Sequence, residues 1–214
     1  GMEFIDKTLD NKMLVYAAIS PSLATARYVN MRRIACDAFH SIKDAEYTLN
    51  SVTYGWWQTY MYDYVDADHA VFEKENTGAN RARLISTLIT GSVILGDDYS
   101  MQSDWQPQVK EWLQRPELKQ LIKSGKAFMP VESGTGGSAA QQFIRKDASA
   151  TYLAVFNYKK EAANVVIDVK RLGLVAGKKY KLTEILGGTN VDLTKNINIP
   201  FTQEGACLYK ITSN

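Results

Sequence analysis

The sequence predicts an α/β region followed by an all-β region. Up to about residue 125, apolar runs typical of buried strands alternate with segments of helical periodicity. Beyond that point, short alternating segments are separated by glycine-containing turns, which is typical of antiparallel strands. We therefore divide the chain into 1–125 and 126–214, with the segment Glu132–Ser138 as the boundary loop because it is rich in glycine and serine.

The first region is predicted to consist of β/α units. Near-continuous apolar runs are typical of parallel strands covered on both faces, and such strands are expected at 13–19, 31–36, 60–65 and 93–95. Helices are expected at 2–9, 44–54 with Asp44 as N-cap, 80–90 closed by Gly91, 106–113 and 116–122. A complete (β/α)8 barrel needs about 250 residues and one unit about 30. About four units fit, so the region is half of a barrel or a different α/β arrangement.

The second region is predicted to hold seven or eight strands in a small antiparallel β-sandwich. Its best strand candidates are 142–145, 151–157, 164–169, 179–184, 196–200 and 206–211. Lys159–Lys160 and Gly187–Gly188 occupy predicted hairpin positions.

Composition excludes several classes of function. With 45% hydrophobic and 22% charged residues, the chain can bury a core. A net charge of +2 without a basic stripe argues against nucleic acid, and the absence of an apolar run of about 18 residues argues against a membrane span. Cys36 and Cys207 form no CxxC pair, which favours buried free thiols over a zinc site. No secretory leader is identified, but Gly1 before Met2 is typical of tag removal, so the compartment stays open.

Acidic residues follow three of the predicted strands. They are Asp37 after the second, Asp66 and Asp68 with His69 after the third, and Asp97 with Asp98 after the fourth. The carboxyl ends of barrel strands build the active site, and a pair of carboxylates is what glycoside hydrolysis requires. Arg33 and Asp37 are four residues apart, which places them on one face of an extended strand.

Each pattern also has a simpler interpretation. Arg33 and Asp37 can form a plain ion pair, and Asp97–Asp98 can cap a helix. The segment Asp66–His69 can form an Asx-capped turn or, less readily, a metal site, since calcium needs more oxygen ligands. Trp57 and the other aromatic residues can stack on sugars or fill a core. We predict no metal ion and no other cofactor.

Three segments resemble the α-galactosidase clan of glycoside hydrolases. The run 28–39, with Arg33, three residues and then Asp37, resembles the sixth-strand segment of that clan. Tyr54–Trp57 followed by Asp66-Ala67-Asp68-His69 resembles the seventh strand, although Ala67 replaces the usual proline. The run 80–98 resembles the seventh helix and eighth strand. The resemblance is best over 28–100, and its specific part is the order of the segments.

The resemblance implies a function for individual residues. Asp37 matches the general acid/base, Arg33 and Asp68 match sugar-binding residues, and Asp66 matches the first acid of the D-x-D pattern. Trp57 is a further candidate for sugar contact. The chain would then cover strands five to eight and the C-terminal sandwich.

In the clan, the nucleophilic aspartate lies on the fourth strand, and this sequence holds no candidate for it. The resemblance thus implies the C-terminal portion of a retaining glycosidase acting on an α-galactoside-type sugar, with the acid/base but without the nucleophile strand. The alternatives are a non-catalytic carbohydrate-binding protein and a structural remnant. Half a barrel exposes unpaired strand edges, so we expect either a homodimer or a missing N-terminal half.

Overall fold

The fold is described from a computed structural model of the chain. The structure describes residues 1–19, 22–35, 37, 41–74, 76–132 and 135–213. Within these residues, no helix combines the length and the apolar content that crossing a membrane requires.

The first half of the chain contains a parallel sheet of three short strands, β1 (Tyr16–Ala17), β2 (Met31–Arg33) and β3 (Tyr64–Asp66), in the order β1-β2-β3. A parallel bridge between Ala70 and Leu95 follows β3. The helices are α1 (Met2–Leu9), α2 (Ser22–Thr25), α3 (Ile42–Gly55), α4 (Thr77–Ile89), α5 (Gln106–Gln114) and α6 (Pro116–Ser124). We call these strands and helices the parallel-sheet region.

The predicted strands of this region are longer than the observed ones. Of the expected strand 13–19 only Tyr16–Ala17 pairs, and Met13 and Ile19 are 67% and 91% exposed, so its predicted burial on both faces is wrong. The run is apolar, but β1 is an edge strand, and among the described residues no further strand pairs with its outer side. Residues 60–65 are strand only from Tyr64, after a 3-10 turn at Trp56–Tyr60, and 93–95 forms a single bridge.

The helices agree closely with the sequence, and one cap is corrected. The N-cap of α3 is Ser41 and not Asp44: the Ser41 hydroxyl accepts from Asp44 N, and the Asp44 carboxylate accepts from Ser41 N. This reciprocal capping box satisfies two backbone donors at the helix start. Gly91, with a φ of +90°, follows the last turn of α4 as predicted.

The second half consists of antiparallel strands, which we call the antiparallel-sheet region. They are β4 (Met129–Pro130), β5 (Gln142–Lys146), β6 (Thr151–Asn157), β7 (Ala163–Ile167), β8 (Tyr180–Glu184), β9 (Asn190–Leu193), β10 (Ile197–Phe201) and β11 (Gly205–Ser213). Six form one sheet in the order β4-β5-β6-β11-β8-β9, and β10 pairs with β7.

Two details of this region differ from the prediction. Gly187–Gly188 does join two paired strands, β8 and β9, but β9 itself was not predicted. Lys159–Lys160 is not a hairpin, because β6 pairs with β5 and β11 while β7 pairs with β10; the segment joins the two sheets. Cys207 is a free, partly buried thiol, whereas Cys36 lies outside the described residues.

Both faces of the six-stranded sheet are buried. On one face, Phe143 and Phe156 share an apolar cluster with Leu49 of α3 and with Leu84 and Leu88 of α4. On the other face, residues of β5, β6, β8 and β11 share a second cluster with Val165 and Ile167 of β7 and Ile199 of β10. One continuous core therefore joins the two halves of the chain.

The start of α4 also touches the turn before β11 directly. Any Cβ at Gly78 would overlap the carbonyl oxygen of Glu204 and come 3.3 Å from the Cα atom of Gly205. Asn76, the N-cap of α4, donates to the Glu204 carboxylate. Helix and turn thus meet through backbone atoms.

The predicted order of an α/β part followed by a β part is confirmed. Among the described residues the sheets are open, since each ends in edge strands.

Candidate functional site

Arg33 joins two of the predicted site residues at the carboxyl ends of β2 and β3. Its Nη1 atom lies 3.0 Å from Asp37 Oδ1 and 3.3 Å from Asp68 Oδ1. The Asp37 side chain is 71% exposed, whereas the Asp68 side chain is 6% exposed. Arg33 and Asp37 do contact each other, but β2 ends at Arg33, so the contact is not made along one face of an extended strand as predicted. The parallel register, in which Arg33 pairs with Asp66, brings β3 beside Arg33.

The arginine is held in its charged form. Burial alone would lower the pKa of Arg33, but the charge and hydrogen bond of Asp68, with the charge of Asp37, raise it above the usual value. Arg33 is therefore a fixed cation between one buried and one exposed carboxylate, which leaves the exposed Asp37 accessible to a ligand.

Asp66 of β3 lies next to Arg33, with which it pairs in the parallel sheet. Its side chain is almost fully buried, and Oδ2 accepts a 2.7 Å hydrogen bond from the Tyr16 hydroxyl of β1. Burial raises the pKa of Asp66 despite that bond, and burial together with the Asp66 carboxylate raises the pKa of Tyr16. Within the described part of the chain Oδ1 of Asp66 has no well-formed hydrogen bond, while the backbone of Asp68 and the charge of Arg33 lower the pKa of Asp66 and so partly offset its burial.

Asp68 has a strained backbone. Its φ is +66°, in the left-handed region that residues other than glycine enter at a cost of about 1 kcal/mol or more. The following residue, His69, has Nδ1 3.1 Å from Asp68 Oδ1, so the same oxygen faces both Arg33 and His69. A strained backbone persists only where surrounding contacts hold it in place, and residues of this kind are found most often at functional sites.

Arg83 of α4 lies behind this segment. It is fully buried, and Nη2 donates a 2.6 Å hydrogen bond to the carbonyl oxygen of His69. Desolvation lowers the pKa of Arg83 to about 10, against the opposing charges of Asp44 and Asp68. A buried guanidinium is costly, and here it donates a hydrogen bond to the backbone of the site.

The remaining candidates lie elsewhere. Trp57 is in the 3-10 turn that leads into the amino end of β3, whereas Asp66 and Asp68 stand at its carboxyl end, so the structure does not bring Trp57 to them. Asp97 Oδ2 accepts from Phe72 N at 3.0 Å, and Asp98 Oδ1 accepts from Ser100 N and its hydroxyl. These two acids hold loops and do not cap a helix.

Chemically, the site offers several acceptors and one strong donor. Asp37, Asp66 and Asp68 surround Arg33, and a sugar presents hydroxyls that can both donate to carboxylates and accept from a guanidinium. The described residues contain no group of three or more acidic, histidine or cysteine side chains placed to hold a metal ion.

Solved structures share the fold of this chain. The fold resembles that of the α-galactosidases. It matches α-galactosidase I from Mortierella vinacea over 100% of this chain and 63% of that one, with a TM-score of 0.77 and 11% identity. It also matches a variant GH27 β-L-arabinopyranosidase from Geobacillus stearothermophilus, in complex with arabinose, over 99% of this chain and 53% of that one (TM-score 0.75, 13% identity).

An isomalto-dextranase from Arthrobacter globiformis, complexed with panose, matches over 100% of this chain and 40% of that enzyme, with a TM-score of 0.72 and 15% identity. No family model and no curated protein matches the sequence. The predicted resemblance to an α-galactosidase-like C-terminal portion is confirmed for the fold. The chain spans between 40% and 63% of the length of these three structures.

Tyr16, Arg83 and the contact of His69 with Asp68 were missed by sequence reasoning. Tyr16 stands inside an apolar run, and its partner Asp66 is 50 positions away. Arg83 stands in a helix whose buried stripe was recognised from its apolar residues alone, although a charged residue within such a stripe is a signal of a buried role.

Proposed function

We propose that the protein is the C-terminal portion of an α-galactosidase-like glycoside hydrolase and contributes the acid/base half of its sugar site. Asp37 is the general acid/base, and Arg33, Asp68 and Asp66 bind the sugar. The observation that carries this proposal is the position of Arg33 between Asp37 and Asp68 at the carboxyl ends of parallel strands.

The geometry suits the assigned roles. A general acid must reach the glycosidic oxygen, and Asp37 is the exposed member of the group. Asp68 and Asp66 are buried and fixed, as residues that bind sugar hydroxyls in one orientation should be. Arg33 connects the two kinds of carboxylate.

The second carboxylate of a retaining reaction is proposed to come from outside these 214 residues. Retaining hydrolysis needs two carboxyl groups about 5 Å apart, one of them as nucleophile. In support, the chain spans only part of the structures it resembles. On this proposal residues 1–125 correspond to strands five to eight of a barrel, and 126–214 to a β-sandwich.

Further β/α units are proposed to cover the open side of β1. Met13, Leu14 and Ile19 are 67%, 55% and 91% exposed there, which is unusual for aliphatic side chains. A second copy of the chain is the alternative cover. Light scattering of the purified chain separates the two, because a stable dimer supports the second copy and a monomer that associates with a separately expressed N-terminal half supports the barrel.

The test of function is galactose binding and galactoside hydrolysis by the purified chain, measured alone and after addition of a separately expressed N-terminal half. Melibiose is the informative substrate because its sugar leaving group needs protonation, whereas nitrophenol leaves without it. Asp37→Asn should lower kcat/KM for melibiose by about 10²–10⁴-fold, the usual contribution of a general acid, and lower kcat/KM for nitrophenyl α-galactoside far less, because that parameter reports the first step, in which nitrophenol needs no protonation. Asp192→Asn, an exposed aspartate on β9, is the matched control.

The outcomes separate three functions. Turnover of melibiose that is unchanged in Asp37→Asn removes Asp37 from the acid role. Galactose binding without turnover in either preparation, lost in Asp68→Asn, supports the non-catalytic carbohydrate-binding alternative. No binding of any monosaccharide supports a structural remnant.

A further inference from the structure

His69 is held from two sides beside the proposed sugar site. It follows Asp68 at the end of β3, and its side chain is 38% exposed. Gly96 contacts its ring, and Arg83 of α4 donates to its backbone carbonyl.

The ring lies against Gly96, where only a glycine leaves room. A Cβ at residue 96 would overlap the imidazole, with Cγ of His69 2.7 Å away. Gly96 is itself fixed by backbone hydrogen bonds: Gly96 N donates to Ala70 O at 3.0 Å, and Ala70 N donates to Ile94 O at 2.8 Å. The ring therefore has a rigid backbone wall on one side.

The carbonyl oxygen of His69 accepts from Arg83. That bond is 2.6 Å long and comes from a guanidinium that is fully buried. Nε and Nη1 of Arg83 have no hydrogen-bond partner among the described residues, so the bond to His69 is what this buried cation gains there. A desolvated donor at that distance fixes the peptide strongly.

Held in this way, the imidazole faces the carboxylate that Arg33 also contacts. Nδ1 of His69 is 3.1 Å and Nη1 of Arg33 is 3.3 Å from the same atom, Asp68 Oδ1. Of these two donors, only Arg33 would remain if His69 no longer donated to Asp68 Oδ1. Arg33 would then move toward Asp68 and away from Asp37, its other partner.

We propose that His69 is a positioning residue of the site: clamped by Gly96 and Arg83, it holds Asp68 through an Nδ1–H group and so keeps Arg33 shared between Asp68 and Asp37. The proposal rests on the proposed function for its effect on sugar binding. Its structural core, the proton on Nδ1, is independent of any ligand.

Two substitutions of His69 separate the role of Nδ1 from that of the ring. The amide nitrogen of asparagine is as many bonds from Cβ as Nδ1, whereas that of glutamine corresponds to Nε2. His69→Asn should keep galactose affinity within about threefold, and His69→Gln should lose about tenfold, as expected for one hydrogen bond to a charged group. Gly96→Ala, which displaces the ring, should resemble His69→Gln. Equal losses in the Asn and Gln variants would overturn the role of Nδ1.

The ligand-free readout is the tautomer of His69, measured by long-range ¹H–¹⁵N correlation at about pH 9, where histidine is ordinarily neutral. The Nδ1–H tautomer supports the proposal, and the Nε2–H tautomer overturns it. If the unsubstituted protein binds no galactose, the proposed function fails, and the tautomer alone then decides the positioning role.

Discussion

The strands of the parallel-sheet region are short and partly exposed, whereas the six-stranded sheet of the antiparallel-sheet region is buried on both faces. The strands of the first are two or three residues long, and Tyr16 and Tyr64 on them are 43% and 42% exposed. The six-stranded sheet is covered on both faces, and Leu153, Val155 and Phe156 of β6 are inaccessible to solvent.

The charged residues of the candidate site follow the same division. Arg33, Asp66 and Asp68 lie where the sheet is thin and open, while the helix that supports them, α4, is packed on the antiparallel sheet. The short parallel strands that carry the site therefore lie apart from the main buried core, which the helices of the first half share with the antiparallel sheet. The substitutions below test that division.

The largest expected effect is from Phe156→Ala in β6. Phe156 is fully buried and lies edge-to-face with Phe143 (6.0 Å between centroids) and stacked on Tyr158 (5.5 Å). Removing the ring should lower the free energy of unfolding by about 3–5 kcal/mol, measured by urea denaturation. Ile19→Ala in the other region should change it by less than about 0.5 kcal/mol. A large loss at Ile19 would mean that its side chain is covered in solution.

An intermediate effect is expected from two buried or half-buried asparagines. Asn157 is fully buried, and Nδ2 donates to Lys159 O, Glu161 O and Gln203 O at 2.9–3.1 Å. Asn157→Ala should cost about 2–3 kcal/mol. Asn30→Ala, which removes bonds to Val15 N and to the exposed Asp63, should cost about 1 kcal/mol. The reverse order in chemical denaturation would contradict the division.

The smallest effect is a pH dependence of opposite sign in the two regions. Burial raises the pKa of Asp66, so stability falls as pH rises from the unfolded value, about 3.9, through the folded one. Hydrogen bonding to Arg145 lowers the pKa of Asp147, so its stabilisation is present above about pH 3.9 and is lost as pH falls through the folded value.

Compared with the unsubstituted protein, Asp66→Asn should therefore be relatively more stable at pH 7 than at pH 3.5, and Asp147→Asn relatively less stable at pH 7 than at pH 3.5. Thermal unfolding at the two pH values checks both. The same sign in both variants would contradict the assigned environments.

Much of the antiparallel-sheet region could be predicted because alternation is a local signal. The candidate 164–169 was recognised from the alternation of Val165, Ile167 and Val169 with polar or exposed residues, and it overlaps β7 (Ala163–Ile167), where Val165 and Ile167 are buried. The strand β9 was missed because only Leu193 of its four residues is buried. Lys159–Lys160 was misinterpreted because a link between two sheets has the same local sequence as a hairpin turn.

The parallel-sheet region could be predicted less well because burial there depends on neighbouring strands. The run 13–19 has the composition of a covered strand, but its exposure is set by what lies beside β1. Of the candidate site, the proximity of Arg33 and Asp37 was expected along an extended strand, but β2 ends at Arg33 and the contact forms beyond the strand end. The proximity of Asp68 followed from the parallel order of the strands. The hydrogen bond from Tyr16 to Asp66 and the position of Arg83 depend on tertiary packing, which no local pattern specifies.

The contact of Gly78 with the turn at Glu204 gives α4 a mechanical role. Backbone atoms lie against each other there, so no side chain can change its rotamer to accommodate a displacement. A shift of the turn before β11 would be passed to the rigid helix and, five residues later, to Arg83 and the carbonyl oxygen of His69. The position of His69 thus depends on the antiparallel sheet through α4. An insertion in the turn at 202–205 would disturb the site without changing any residue proposed to contact a ligand.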